Sequence, residues 1–278
     1  MLKVCFVSDL HLFARRSTAD RYLERMISLA RDSDYCVLGG DIFDFRWSVF
    51  PTAEKTADAA MEWLHEFDQR SGNCQIHFLL GNHDDHPLLH ERLKEHEDEA
   101  RSLEWSRFFY RLSNTLFLHG DVADRTMTAA CLAQQRDSFE HGTRSPLQHR
   151  LYDMAIKAQL HRIAPPAVYP RKRVAKRILS YMEHIGQGPE TGVEHVCFGH
   201  THRPVDNYVL QNVTFHNCGA PIGAGKFRVV QRQIPRLEDN GQTHESKDPH
   251  GWEMHPGKNG TTQIVVPDDI EADHETTS

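Results

Sequence analysis

Five stretches of the chain join an apolar run to side chains that can hold a metal ion or move a proton. They are Val7-Ser8-Asp9-Leu10-His11, Leu38-Gly39-Gly40-Asp41-Ile42-Phe43-Asp44, Gly81-Asn82-His83-Asp84, Leu118-His119-Gly120-Asp121 and Phe198-Gly199-His200-Thr201-His202. The third follows Gln75-Ile76-His77-Phe78-Leu79-Leu80, which reads as a buried strand, and Gly81 then lets the backbone turn sharply. Carboxylate, amide and imidazole donors without thiolate favour Mn, Fe or Zn over calcium. Asp41 stands behind two glycines, which allow close approach of backbone and metal, and its two oxygens can bridge two ions. A pair of ions roughly 3.5–4 Å apart forms the clamp used for in-line displacement at phosphorus. Each ion lowers the pKa of the water it holds, so a hydroxide shared between them is a strong nucleophile near neutral pH. Taken singly, each cluster has an ordinary explanation as a turn or helix cap. Their repetition at five strand ends argues for a metal site.

The elements that must position these residues alternate at first. Leu2 to Val7 is an apolar strand. Thr18 to Arg31 has helical spacing, Tyr35 to Leu38 is a second strand, and Pro51-Thr52 opens a helix running to about Arg70. With the strand before Gly81, this βαβαβ order implies an α/β protein whose parallel sheet is layered by helices, with ligands at the carboxyl ends of the strands. Leu88 to about Arg111 is charged, then aromatic, and reads as a solvated helix leading into core contacts. Thr115 to Leu118 is again a strand. The segment 122–192 breaks the rhythm: helical stretches around Met127–Phe139, Leu147–Ile163 and Arg171–Ile185, basic in the second half, suggest an insertion or lid over the strand ends. Val193 to Phe198 returns to strand, and Asn207–Leu210, Val213–His216 and Phe227–Val230 look like antiparallel strands. The expected division is a core of 1–121 and 193–232, a helical insertion of 122–192, and a polar, flexible tail of 233–278.

Bulk composition narrows the class. The chain has 278 residues, 39% hydrophobic and 26% charged, enough for a sizeable core. A formal charge of -7 argues against non-specific nucleic-acid binding. Twenty histidines are an unusually high number, and several fall in the clusters above. The six scattered cysteines form no C-x-x-C pair and read as buried, reduced thiols. A strand begins at once, with no signal-peptide pattern and no membrane-length apolar run, so a soluble cytoplasmic protein is expected.

Asp9-x-His11, Gly40-Asp41-x-x-Asp44, Gly81-Asn82-His83-Asp84, His119 before Gly120-Asp121, and Gly199-His200-Thr201-His202 resemble, in order and strand context, the calcineurin-like metallophosphoesterases. The resemblance covers about residues 1–230. It implies a four-layer β-sandwich flanked by helices, with a dinuclear site. Carried over by position, it implies that Asp9, His11, Asp41 and His202 hold one ion and that Asp41, Asn82, His119 and His200 hold the other. It implies that His83 faces the scissile phosphate as general acid or electrostatic partner, with Asp44 orienting it and Asn82 sharing in catalysis and substrate contact. Arg203, beside His202, suits a phosphate contact.

Within the superfamily, Asp9-Leu10-His11-Leu12, Gly40-Asp41-Ile42-Phe43-Asp44 and Gly199 to Pro204 resemble the UDP-2,3-diacylglucosamine hydrolases of lipid A synthesis. That family also carries a helical lid where 122–192 stands, and usually has arginine where this chain has His83. The resemblance implies hydrolysis of a nucleotide-linked pyrophosphate, two divalent ions, most simply Mn, and peripheral contact with the inner membrane surface. Two other readings stay open: a phosphodiesterase or phosphomonoesterase acting on nucleotides or phosphoproteins, and a non-catalytic scaffold on the same fold.

Overall fold

The computed structural model describes residues 1–97, 103–138 and 168–236, and the backbone of two short strands at 253–256 and 262–265. In chain order the elements are β1 (Leu2–Val7), α1 (Leu23–Arg31), β2 (Tyr35–Gly39), α2 (Ala53–Arg70), β3 (Gln75–Leu79), α3 (Pro87–Glu97), β4 (Leu103–Ser106), β5 (Phe109–Leu112) and β6 (Thr115–Leu118). They continue with α4 (Ala129–Asp137), α5 (Arg171–His184), β7 (His195–Phe198), β8 (Val205–Leu210), β9 (Val213–Asn217), β10 (Val230–Ile234), β11 (Glu253–Pro256) and β12 (Thr262–Val265). The helix expected over Leu147–Ile163 lies outside the described residues.

Local sequence accounts for the helices. Thr52 caps α2, its hydroxyl accepting the Lys55 N–H at 3.3 Å, and Thr56, Ala57, Ala60, Leu64 and Phe67 make the buried stripe at helical spacing. In α1 the buried face is Met26, Ile27 and Ala30. Strand residues alternate between two cores, as a period of two demands. Cys5, Val7, Cys36 and Leu38 face α1, α2 and α3, while Val4, Phe6 and Val37 face the second sheet.

Two sheets result, one ordered β10-β1-β2-β3-β4 and the other β11-β12-β5-β6-β7-β9-β8. In the first, β1, β2, β3 and β4 run parallel and β10 is antiparallel to β1. In the second, β6, β7 and β9 run parallel. Phe6, Tyr110, Phe117 and Cys197 fill the space between the sheets. On the far face, α5 buries Val174, Ala175, Ile178, Leu179 and Met182 against Leu116, Val196 and Phe215. The order of layers is helices, sheet, sheet, helices. The α/β sandwich expected for the chain is therefore its fold, and α5 forms an outer layer of it.

Three local differences have physical reasons. The stretch Leu88–Arg111 is a helix followed by two strands, because Leu103 and Trp105 pair with Ile76 and Phe78 at the sheet edge. The last core strand runs from Val230 to Ile234, not from Phe227 to Val230, since the inward positions of β10 pair with β1. Within 233–278, where Ile264–Val266 is the one short apolar run after Ile234, β12 pairs with β5 through Thr262 and Arg111. All six cysteines are free, and five are buried. Among the described residues, no helix is long and apolar enough to cross a membrane.

Candidate metal centre

The carboxyl ends of β1, β2, β3, β6 and β7 open toward one cluster of side chains. The backbone leaves β1, β2 and β7 through left-handed residues: Asp9 (φ 56°), His11 (47°), Asp41 (52°), His200 (61°) and His202 (52°). That conformation costs a non-glycine residue about 1–2 kcal/mol, and Asp and His tolerate it better than most. Five such residues in one place concentrate strain where side chains must converge. Gly40, with φ 84°, has a spatial reason as well: a Cβ there would stand 2.7 Å from Nδ1 of His119.

Asp9, His11, Asp41 and His202 each bring one donor atom within 4.8 Å of the others. Nε2 of His11 faces Nε2 of His202 at 3.0 Å. Asp9 Oδ1 lies 3.6 Å from Nε2 of His202. A second group adjoins the first. Asn82 Oδ1 is 3.2 Å from Nε2 of His119 and 3.2 Å from Nδ1 of His200. Asp41 joins the two, because its Oδ2 is 3.7 Å from His11 Nε2 and 3.4 Å from His119 Nε2. Seven side chains drawn from five strand ends thus meet.

The electrostatics suit cations. Burial depresses the imidazole of His11, and burial together with His11 depresses that of His202 well below the ordinary value. A neutral imidazole is the form that can offer a lone pair to a cation. Burial opposes charge on His119, but the Asp41 carboxylate beside it raises the imidazole to about 10. Asp41 is itself held well below the carboxylate range against its burial, by His119 and then His83. Burial raises Asp9 to about 6, against the pull of His119. Converging carboxylate, amide and imidazole donors fit a pair of divalent ions, whose charge would favour the neutral, lone-pair form of each imidazole.

His11, Asp44 and His83 form another close group. The Arg16 guanidinium already occupies the cationic position there, donating to Asp44 Oδ2 at 2.8 Å. Asp44 works as an orienting group. Its oxygens lie 3.2 Å from Nδ1 of His11 and 2.9 Å from Nδ1 of His83, and Oδ1 accepts the Trp47 N–H at 2.8 Å. This turns Nε2 of His11 into the cluster. The His83 N–H donates to Asp41 Oδ1 at 2.8 Å. Burial works against a charge on His83, yet Asp44 and Asp41 raise its imidazole above the ordinary value. Asp84 ties two of the strand ends together, accepting the N–H groups of Gly81 and Ile42 at 2.5 and 2.7 Å.

Other residues fall around this centre. Arg203 Nη1 donates to the Tyr169 carbonyl at 3.0 Å, at the start of α5. His77 stacks on Tyr110 and shares a 2.8 Å hydrogen bond with Ser106, which is a packing role. His216 accepts from Arg232 at 2.9 Å. Sequence reasoning missed Arg16 and Arg136. Arg136 is fully buried and grips Asp121, donating through Nε at 2.8 Å. Neither arginine stands at a strand end, where the pattern of apolar run and polar cluster would have marked it.

No curated protein matches the chain. Residues 2–204, most of the sequence, match the calcineurin-like phosphoesterases. Members of that family are metal-dependent phosphoester hydrolases with a dinuclear divalent-metal site, and this clustering of donors is what such a site requires. The chain belongs to the calcineurin-like phosphoesterase family.

Proposed function

We propose that the protein is a two-metal hydrolase of a nucleotide-linked pyrophosphate, of which UDP-2,3-diacylglucosamine is the first substrate to test. Asp9, His11, Asp41 and His202 hold one ion, and Asp41, Asn82, His119 and His200 hold the other, most simply Mn. The observation that carries the metal assignment is Asp41 Oδ2, which lies between one imidazole of each group at 3.7 and 3.4 Å. When bound, the ions supply a nucleophile from water and neutralise charge at phosphorus.

The chain's own groups do the rest. His83, held at Nδ1 by Asp44 and raised by the carboxylates around it, carries a proton for the leaving oxygen on Nε2. Asn82 and Arg203 contact the phosphate oxygens, Arg203 through a guanidinium suited to them. Support for the substrate comes from the wording of the strand-end motifs and from α5. Its residues Lys172, Arg173, Lys176 and Arg177, with Thr126 and Pro170, line an open groove of about 410 Å³. Positive charge there favours a polyanionic substrate and contact with an anionic membrane surface.

His83 favours a second reading, a phosphodiesterase or phosphomonoesterase on nucleotides or phosphoproteins, because the lipid A enzymes usually carry arginine at that position. The test compares Mn-loaded protein on UDP-2,3-diacylglucosamine and on bis(p-nitrophenyl) phosphate, with products followed by ³¹P NMR. Turnover of the diester alone overturns the pyrophosphate assignment. Inactivity on both, and on a phosphomonoester, with two ions bound would favour the scaffold.

A further inference from the structure

Asp124 is placed in neither ion's ligand set, yet it touches one of the proposed ligands. Its Oδ1 lies 2.8 Å from Nε2 of His200 and accepts the Tyr169 hydroxyl at 2.7 Å. The opposite ring nitrogen of His200, Nδ1, is the one turned toward Asn82 Oδ1 at 3.2 Å. We propose that Asp124, steadied by Tyr169, is the positioning residue for His200. It accepts Nε2–H and thereby keeps the Nδ1 lone pair aimed at the ion shared with Asn82, His119 and Asp41. The proposal rests on the two-ion reading above.

The reasoning is geometric. The backbone of His200 is anchored by its N–H, which donates to Asp9 Oδ1 at 2.7 Å. That bond leaves rotation about Cβ–Cγ undetermined. Flipping the ring by a half turn exchanges Nδ1 with Cδ2 and Nε2 with Cε1. A flipped ring presents carbon to Asn82 and a carbon-bound hydrogen to Asp124, so the 2.8 Å contact selects the orientation with nitrogen inward. It also selects the tautomer, since a carboxylate accepts and does not donate. Tyr169 adds a second constraint, its ring standing edge-on to His200 with centroids 5.8 Å apart.

The position of Asp124 is itself built. Arg177 of α5 donates to the Ala123 carbonyl at 2.5 Å, and Val122 and Ala123 are buried against α5. Arg203 holds the Tyr169 carbonyl from the other side at 3.0 Å. Packing of α5 on the second sheet therefore delivers Asp124 and Tyr169 together to the edge of the cluster. Carboxylates that accept from a metal-binding histidine commonly contribute 10–100-fold in metal affinity.

The experiment titrates Mn²⁺ into the metal-free full chain by calorimetry and records the electron paramagnetic resonance spectrum at two equivalents. Wild type is expected to bind two ions and show an exchange-coupled pair. In Asp124→Ala the second dissociation constant should rise about 10–100-fold, the first staying within about twofold, and the spectrum should become that of isolated Mn²⁺. Asp124→Asn, whose amide oxygen still accepts, should restore part of the coupled signal. Tyr169→Phe should weaken the second site by about 2–10-fold, the worth of one hydrogen bond. If Asp124→Ala folds poorly, Asp124→Asn and Tyr169→Phe carry the test. Two ions bound by wild type and equally tightly by these variants would overturn the role of Asp124 alone. A single ion bound by wild type would overturn the two-ion reading and this inference with it.

Discussion

Replacing Asp44 by asparagine isolates what holds His83 and His11 in place. The side chain keeps its shape, but one oxygen becomes an NH₂. Oδ2 now serves Arg16 at 2.8 Å and His11, and Oδ1 serves His83 and the Trp47 N–H. Whichever way the amide turns, donors meet donors. The larger loss is electrostatic. The Arg16–Asp44 pair has side chains only 4% and 0% exposed, so solvent does little to screen it. Removing one partner of a buried pair costs about 3–5 kcal/mol, because the remaining charge is left uncompensated. At about 2–4 °C per kcal/mol for a chain of this size, the melting temperature should fall by roughly 6–20 °C. Calorimetry of metal-free Asp44→Asn reads this directly. Turnover of the Mn-loaded variant should fall about 100-fold, as His83 loses its orientation. Arg16→Met combined with Asp44→Asn should recover about 2 kcal/mol or more of the stability, since the buried guanidinium that lost its carboxylate is gone. A loss below about 1 kcal/mol in the single variant, with no recovery in the double, would refute the account of Asp44 as a buried hub.

Three further outcomes follow from the same geometry. Gly81→Ala should abolish activity and destabilise the fold, because the new Cβ would overlap Oδ1 and the backbone nitrogen of Asp41. Gly72→Ala, with φ +70° but open space, should cost only about 1 kcal/mol, and similar losses in both by urea titration would contradict the steric argument. Asp41→Asn should reduce kcat/KM by about 10³-fold or more and His83→Ala by about 10²-fold, because in the proposed arrangement Asp41 serves both ions; equal, small reductions would count against that assignment. Asp85, bound to His90 at 2.6 Å and Arg107 at 2.9 Å, is held at about 2 although its burial alone would raise it. A depressed carboxylate stabilises the fold above its unfolded pKa of about 4 and loses that contribution as pH falls toward 2. Wild type and Asp85→Asn should therefore converge in urea midpoint between about pH 4 and pH 2, and a constant gap across that interval would exclude the linkage.

The legible part of the site consists of donors at strand ends. Asp9, His11, Asp41, Asn82, His119, His200 and His202 all stand directly after apolar runs, so a pattern of period-two burial followed by a polar cluster marks them. The supporting groups carry no such mark. Asp124 follows a three-residue turn of helix, Tyr169 precedes α5, and Arg16 lies in the irregular stretch after β1; nothing in their neighbours indicates what they touch. β4 and β5 were hidden for a related reason, since no cluster of Asp or His follows either strand.

Strand-end motifs and helical stripes were enough to indicate an α/β protein with a metal site, and the resemblance of those motifs to the calcineurin-like metallophosphoesterases indicated the family. These are local properties, written into consecutive residues by burial and backbone geometry. Which strands lie side by side was decided only by the folded chain. His11 and His202 are separated by 191 positions and meet at 3.0 Å because β1 and β7 lie in different sheets that pack face to face. The orientations of the His11, His119 and His200 rings were decided there too, by contacts of their other nitrogens with Asp44, with the Gly39 carbonyl at 3.3 Å and with Asp124. A side chain's type follows from the sequence, but the direction of its lone pair depends on neighbours that only tertiary packing supplies.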